Sequence, residues 1–176
     1  MHVEAAGPDD LDASCKVIDA CRNALETQGL LQWDAQYPSR SFLGEAIIAG
    51  NLFVLSDAGT IGGVAVLDAS QPPEWSSAAW SHQDGAFLVI HAFAISPQLQ
   101  GRGHGEFLLA FCEDVARRRG CRSIRIDAFS ENSGALRFWK RHGYGFRGEV
   151  RFASKPAGHQ RYYCYEKSLA QQSGLG

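Results

Sequence analysis

The sequence is short of several features that would each have settled its class. Charge of one sign is missing: 17 Lys and Arg stand against 19 Asp and Glu, a formal net charge of -2. With no overall basic excess, neither a nucleic acid backbone nor an anionic membrane is expected as a partner. Long apolar runs are missing too, which argues against a membrane-spanning helix. Met1-His2-Val3-Glu4 lacks a charged-then-apolar leader, so the expected location is cytoplasmic. The five cysteines, Cys15, Cys21, Cys112, Cys121 and Cys164, are odd in number and follow no metal spacing. Reduced, buried thiols and no metal are the expectation. No internal repeat or low-complexity tract interrupts the 176 residues. That length suits one compact domain over residues 1–169, followed by a disordered tail at 170–176.

What is present centres on residues 91–105, H-A-F-A-I-S-P-Q-L-Q-G-R-G-H-G. An apolar strand ends at Ile95, a Pro-bearing turn follows, and Gly101, Gly103 and Gly105 precede a helix-forming run. The first N–H groups of a helix have no internal partner, and the helix dipole favours negative charge there. Glycines add no side chain to keep a phosphate away from those groups. The device therefore reads as a site for the pyrophosphate of a large cofactor. A nucleotide P-loop is excluded, because Glu106 and Phe107 follow Gly105 where Lys and Ser or Thr are required. A dinucleotide fingerprint fits poorly: the glycines run G-x-G-x-G and begin six residues after the strand ends, although Asp127 lies where a ribose-binding acid would.

The remaining pattern alternates strands and helices. A first strand is expected near residues 2–6, then a helix opened by Pro8-Asp9-Asp10 and ended by Gly29, and a second from Pro38-Ser39 through Ile48. Residues 52–55 and 61–67 read as strands joined at Asp57-Ala58-Gly59-Thr60, a hairpin turn. Residues 70–85 form the longest irregular stretch, before a nearly all-apolar strand at 87–95. A helix over 103–119 carries Leu108, Phe111, Cys112 and Val115 on one stripe, which makes Cys112 a packing residue rather than a nucleophile. Arg117-Arg118-Arg119 closes that helix about 21 Å from Gly103, as a solvated cap. A strand at 123–128, a helix at 132–142 stopped by Gly143, and strands at 144–152 and 161–169 complete an α/β chain.

The spacing Q-x-x-G-x-G of Gln100, Gly103 and Gly105 closely resembles motif A of the GNAT superfamily of N-acetyltransferases. The later segment N-S-G-A-L-R-F-W-K-R-H-G-Y resembles the family's fourth-helix pattern, with Asn132, Ala135, Trp139 and Gly143 in the matching places. The resemblance covers most of the chain and is strongest from Val89 to Glu149. It implies the GNAT-type acyl-CoA N-acyltransferase fold, a mixed central sheet flanked by helices with a β-α-β cofactor unit. It also implies acetyl-CoA as co-substrate, held by Gln100, Gly101, Arg102, Gly103, His104 and Gly105. Main-chain groups of Phe93, Ala94 and Ile95 would receive the acetyl end, Asn132 would hydrogen-bond the pantetheine arm, and Ala135 and Trp139 would also contact the cofactor.

Acetyl transfer to an amine needs a neutral amine, a stabilised oxyanion and a leaving thiolate that is protonated or otherwise stabilised. His91 is the candidate base: imidazole passes protons at neutral pH, and some arylalkylamine acetyltransferases resemble this strand with a His in the same place. The alternative is a histidine hydrogen-bonded in the core, or one that lines the cleft without taking part in proton transfer. The family's thiolate-protonating Tyr is replaced by Trp139, whose indole N–H is no proton source near neutral pH. Tyr144, Ser133 and His142 stand nearby in sequence. Trp33 and Tyr37 fall where the family often walls the acceptor site, and Trp75 and Trp80 lie in a connector. Such aromatics either box an amine or pack loops on the core. The expected activity is direct acetylation of a primary amine on a small molecule, by a monomer or homodimer. A protein or peptide amine is the second reading, and a non-catalytic acyl-CoA binder the third.

Overall fold

The computed structural model describes residues 1–169, so the expected tail at 170–176 lies outside the described residues. The chain divides into two compact units, one of Met1–Asp68 with Ile90–Cys112, the other of Ala69–Val89 with the residues from Glu113 onward. The strand Phe87–Ile95 and the helix His104–Arg118 each run from one into the other.

In the first unit, β1 (His2–Ala5) pairs antiparallel with β2 (Leu52–Asp57), Val3 opposite Leu55. β2 pairs antiparallel with β3 (Thr60–Asp68). The link is a two-residue turn in which Ala58 and Gly59 have φ of 49° and 78°, the left-handed pair that a tight hairpin demands. Between β1 and β2 lie two helices. The first opens differently from the sequence expectation: Pro8–Asp10 is a 3-10 turn, with the Asp10 carboxylate accepting the Gly7 N–H at 2.8 Å, and α1 begins at Leu11 and runs to Thr27. α2 (Arg40–Ile48) is capped by the Ser39 hydroxyl, which accepts the Phe42 N–H at 3.1 Å. Val17, Ile18 and Cys21 of α1 and Leu43 and Ala46 of α2 bury against Leu52, Val54, Val64 and Val66 in one apolar cluster. Ala92 and Ala94, from the second part of β4 (Phe87–Ile95), belong to that cluster.

In the second unit, the first part of β4 pairs parallel with β5 (Ser123–Phe129), from Phe87 opposite Ser123 to Val89 opposite Arg125. α3 (His104–Arg118) connects those two strands, giving the expected β-α-β order. α4 (Ser133–Arg141), β6 (Gly145–Arg151) and β7 (Arg161–Ser168) follow, and β7 pairs antiparallel with both β5 and β6. The hydrogen-bonded strand order is β1-β2-β3-β4 in the first unit and β4-β5-β7-β6 in the second, with β4 common to both. This is a mixed α/β sheet in which the β4–β5 ladder is parallel and the β1–β2, β2–β3, β5–β7 and β6–β7 ladders are antiparallel.

A charged network is buried in the second unit. Glu166 accepts the Ser81 N–H at 2.6 Å, the Ser123 hydroxyl at 2.8 Å and the Arg125 Nε–H at 3.3 Å. Arg125 also donates to the His82 carbonyl, and its guanidinium lies over the Trp80 and Phe87 rings. Trp75 is 1% exposed, its indole N–H donating to Asp127 at 3.0 Å. These contacts hold residues 75–82 to the strands of that unit.

Candidate active site

The site is assembled on β4 and the turn that follows it. Ile90 and Ala92 of β4 are buried, while His91 and Phe93 are half-buried. Ala92, within the strand, has a φ of 47°, a left-handed conformation that costs a non-glycine residue about 1–2 kcal/mol. Such strain persists where surrounding packing holds it, here the cluster that buries Ala92. Beside it, His91 Nε2 lies 3.1 Å from an oxygen of Asp68, the last residue of β3.

The turn is fastened to β3 and to β4 itself. The Ser96 N–H donates to the Gly62 carbonyl at 2.8 Å, and Gln100 Nε2 donates to the Ile95 carbonyl at 2.9 Å. The Cys21 thiol donates to that same carbonyl at 3.2 Å. Leu99 sits so close over Gly62 that any side chain at Gly62 would collide with it. Gly101 and Gly103 then take φ of 72° and 85°, and a Cβ added at either would meet nothing within 4 Å. The chain is thus open where the glycines turn. Gly103's carbonyl receives the Phe107 N–H at 3.0 Å, so α3 starts directly from the turn.

His104, the first residue of α3, points inward instead of toward solvent. Its Nε2 lies 2.8 Å from Asp57 Oδ2, its side chain is 7% exposed, and its Nδ1 is buried without a hydrogen-bond partner. The hydrogen bond to His104 holds the Asp57 carboxyl below its ordinary range. Gly105 is the second residue of α3, and Arg102 is exposed on the turn.

Asn132, Ala135 and Trp139 belong to the second unit. Asn132 is the N-cap of α4, its side-chain oxygen accepting the Ala135 N–H at 3.0 Å. Trp139 is buried, with its ring 5.1 Å from that of Tyr144. Tyr144 is itself buried, its hydroxyl donating to Glu113 at 3.4 Å, and Lys167 bonds both oxygens of Glu113. His142 Nδ1 lies 2.8 Å from the Phe138 carbonyl. Of the three residues near Trp139 in sequence, Tyr144 and His142 therefore carry structural hydrogen bonds.

Of the connector aromatics, Trp33 packs on the cluster that includes Ala92 and Ala94, and Tyr37 lies against Phe42 with ring centroids 5.1 Å apart. Trp75 and Trp80 are buried in the second unit, so the reading that they box an amine gives way to loop packing. Cys112 is fully buried, as its helical stripe requires. Arg117 and Arg118 pair with Glu113 and Asp114 one turn back, as a helix-end cap does. Among the described residues, no group of three or more His, Cys, Asp and Glu is placed to hold a metal ion, and no helix is long and apolar enough to cross a membrane. Sequence reading missed Asp57 and Asp68, the carboxylates beside His104 and His91.

Residues 18–144 match the model of the acetyltransferase (GNAT) family, a span that contains the strand, turn and helix just described. The chain belongs to the GNAT acetyltransferase family. An uncharacterized N-acetyltransferase of Bacillus subtilis, YesJ, is 24% identical over 153 residues, covering 84% of this chain and 79% of the relative. A GNAT acetyltransferase from Streptococcus agalactiae shares the fold with a TM-score of 0.80 at 20% identity, over 97% of this chain and 96% of that one. YncA of Salmonella typhimurium, solved with its cofactor acetyl-CoA, shares it with a TM-score of 0.68 at 17% identity, over 100% of this chain and 98% of that one.

Proposed function

We propose that this GNAT acetyltransferase moves the acetyl group of acetyl-CoA directly onto a primary amine of a small molecule. The observation that carries the cofactor assignment is the glycine turn at the start of α3, open beside Gly101 and Gly103, where the main-chain N–H groups of a helix start would hold an anion. Those groups and Arg102 suit a diphosphate in charge and in shape. His104 stands behind the turn and braces it through Asp57. Asn132, the N-cap of α4, is by the family resemblance the place for a hydrogen bond to the pantetheine arm, with Ala135 a further cofactor contact. When bound, acetyl-CoA supplies a thioester already activated for acyl transfer. The chain's part is then to hold the amine in line, to remove its proton and to receive charge on the carbonyl oxygen through a main-chain N–H of residues 93–95.

His91 is the base in this reading, supported by its half-buried place on β4 and its carboxylate partner. Trp139 stands in the usual Tyr position and the Tyr144 hydroxyl donates to Glu113, so the thiolate leaves unprotonated or takes its proton from water or another side chain. Trp33 and Tyr37 offer aromatic faces in the connector between α1 and α2, suited to an amine's apolar part or its cationic form. Free thiol is followed while the protein is mixed with acetyl-CoA and either small primary amines or peptides with free amino groups. Thiol release on a small amine, and less on the peptides, is expected. Release only on the peptides would move the acceptor to protein. Saturable acetyl-CoA binding with no release on either class would make the chain an acyl-CoA binder.

A further inference from the structure

We infer that Asp68 is a positioning residue for His91, fixing which ring nitrogen takes the amine proton; this rests on the reading of His91 as the base. Two strands bring the pair together. Asp68 closes β3 and His91 stands in β4, with Nε2 and Oδ1 3.1 Å apart and the side chains 25% and 16% exposed. At that depth water competes weakly for either group, and a hydrogen bond to an ionised carboxylate outlasts one between neutral groups.

An ionised carboxylate only accepts hydrogen bonds. The proton between the two residues therefore belongs to His91 Nε2, and the neutral imidazole carries its basic lone pair on Nδ1. As the bond from the amine nitrogen to the acetyl carbon forms and the carbon–sulfur bond breaks, the proton leaving nitrogen passes to Nδ1, directly or through one water. The imidazolium so formed donates from Nε2 to a full negative charge, and the proton later leaves Nδ1 for solvent. Asp68 touches none of the reacting atoms. It sets the tautomer and ring angle, and it opposes the charge that develops on the ring.

The backbone supports this division of labour. The left-handed Ala92 stands immediately after His91 and constrains the backbone that carries the ring. Asp68 anchors the ring from the neighbouring strand.

The full-length chain is tested with saturating acetyl-CoA and three probe amines, 2-phenylethylamine, spermidine and a glycyl peptide, by thiol release. Asp68→Asn keeps the shape and removes the charge. It should lower kcat at least tenfold while both KM values stay within about twofold, and Asp68→Glu should recover part of the loss. In parallel, proton spectra of the coenzyme A complex should show a solvent-protected His91 Nε2–H resonance that disappears in Asp68→Ala. Unchanged kcat in Asp68→Asn, or equal loss in Asp68→Asn and Asp68→Glu with both KM values raised, overturns the assignment. If His91→Ala loses activity while Asp68→Asn keeps it, His91 stands as base and only the role of Asp68 is lost. If His91→Ala keeps full kcat, or the unaltered chain releases no thiol on any probe, the underlying reading falls and this inference with it.

Discussion

His104 Nε2 and Asp57 Oδ2 are 2.8 Å apart, joining the first residue of α3 to the last residue of β2. The glycine turn thus has a brace that is not part of its own segment. His104 is held at one ring nitrogen and buried at the other, so loss of the Asp57 carboxylate strands the whole ring.

Asp57→Ala should therefore weaken acetyl-CoA binding several-fold, through a turn that no longer holds its shape, without touching the cofactor. Asp57→Asn, which can still accept the hydrogen bond, should bind more nearly as the unaltered chain does. Titration calorimetry of the three proteins checks the order. Equal affinities would mean that the turn keeps its shape unaided.

The buried network of Glu166 predicts how stability follows pH. Burial pushes the Glu166 carboxyl up, but the Ser81 N–H, the Ser123 hydroxyl and the Arg125 guanidinium together hold it below its ordinary value of 4.5. A carboxyl that is more acidic in the folded chain leaves the unfolded chain binding more protons in the acid range. Its contribution is complete above pH 4.5 and lost as pH falls through the lower folded value. Glu166→Gln leaves Arg125 buried beside a neutral partner and should cost about 3–5 kcal/mol near neutral pH. The gap between the two proteins should narrow in acid. Urea titrations at several pH values measure it, and a gap constant from pH 7 to 3 would contradict the account.

The cysteines divide by depth. Burial pushes the thiols of Cys21 and Cys164 up to about 12, and Cys112 is fully buried. Because the thiolate is the reactive form, these three should stay unmodified by an alkylating reagent at pH 8 while the chain is folded. Cys15 and Cys121, which are partly exposed, should react first. Mass spectrometry of the alkylated peptides reads this directly, and early labelling of Cys21 or Cys164 would show that the core opens.

Local signals in the sequence were enough for the β2–β3 hairpin, the Asn132 cap, the core stripe of α3 and the glycine turn, because each is built from residues close together in the chain. Two signals at the right separation were enough for the family. The carboxylates of Asp57 and Asp68 carry no such mark. Each acts on a histidine 47 or 23 residues away, and only the tertiary fold brings the partners together. Trp75 and Trp80 stayed open between two roles for the same reason: their segment looks like an exposed connector until Arg125 and Glu166 anchor it from β5 and β7. The 3-10 turn at Pro8–Asp10 was missed because proline and acids open either kind of helix, and the Asp10 hydrogen bond to Gly7 decides between them. His104 was legible as part of the turn, but its inward direction was not.

The most direct measurement compares coenzyme A with S-acetylpantetheine, which lacks the diphosphate, on the unaltered chain and on Gly103→Val. At φ 85° valine is strained, and its side chain would occupy the open face of the turn. If main-chain N–H groups at residues 100–105 hold the diphosphate, Gly103→Val should weaken coenzyme A at least tenfold and leave acetylpantetheine nearly unchanged. Equal losses for both ligands, or none for coenzyme A, would contradict that assignment.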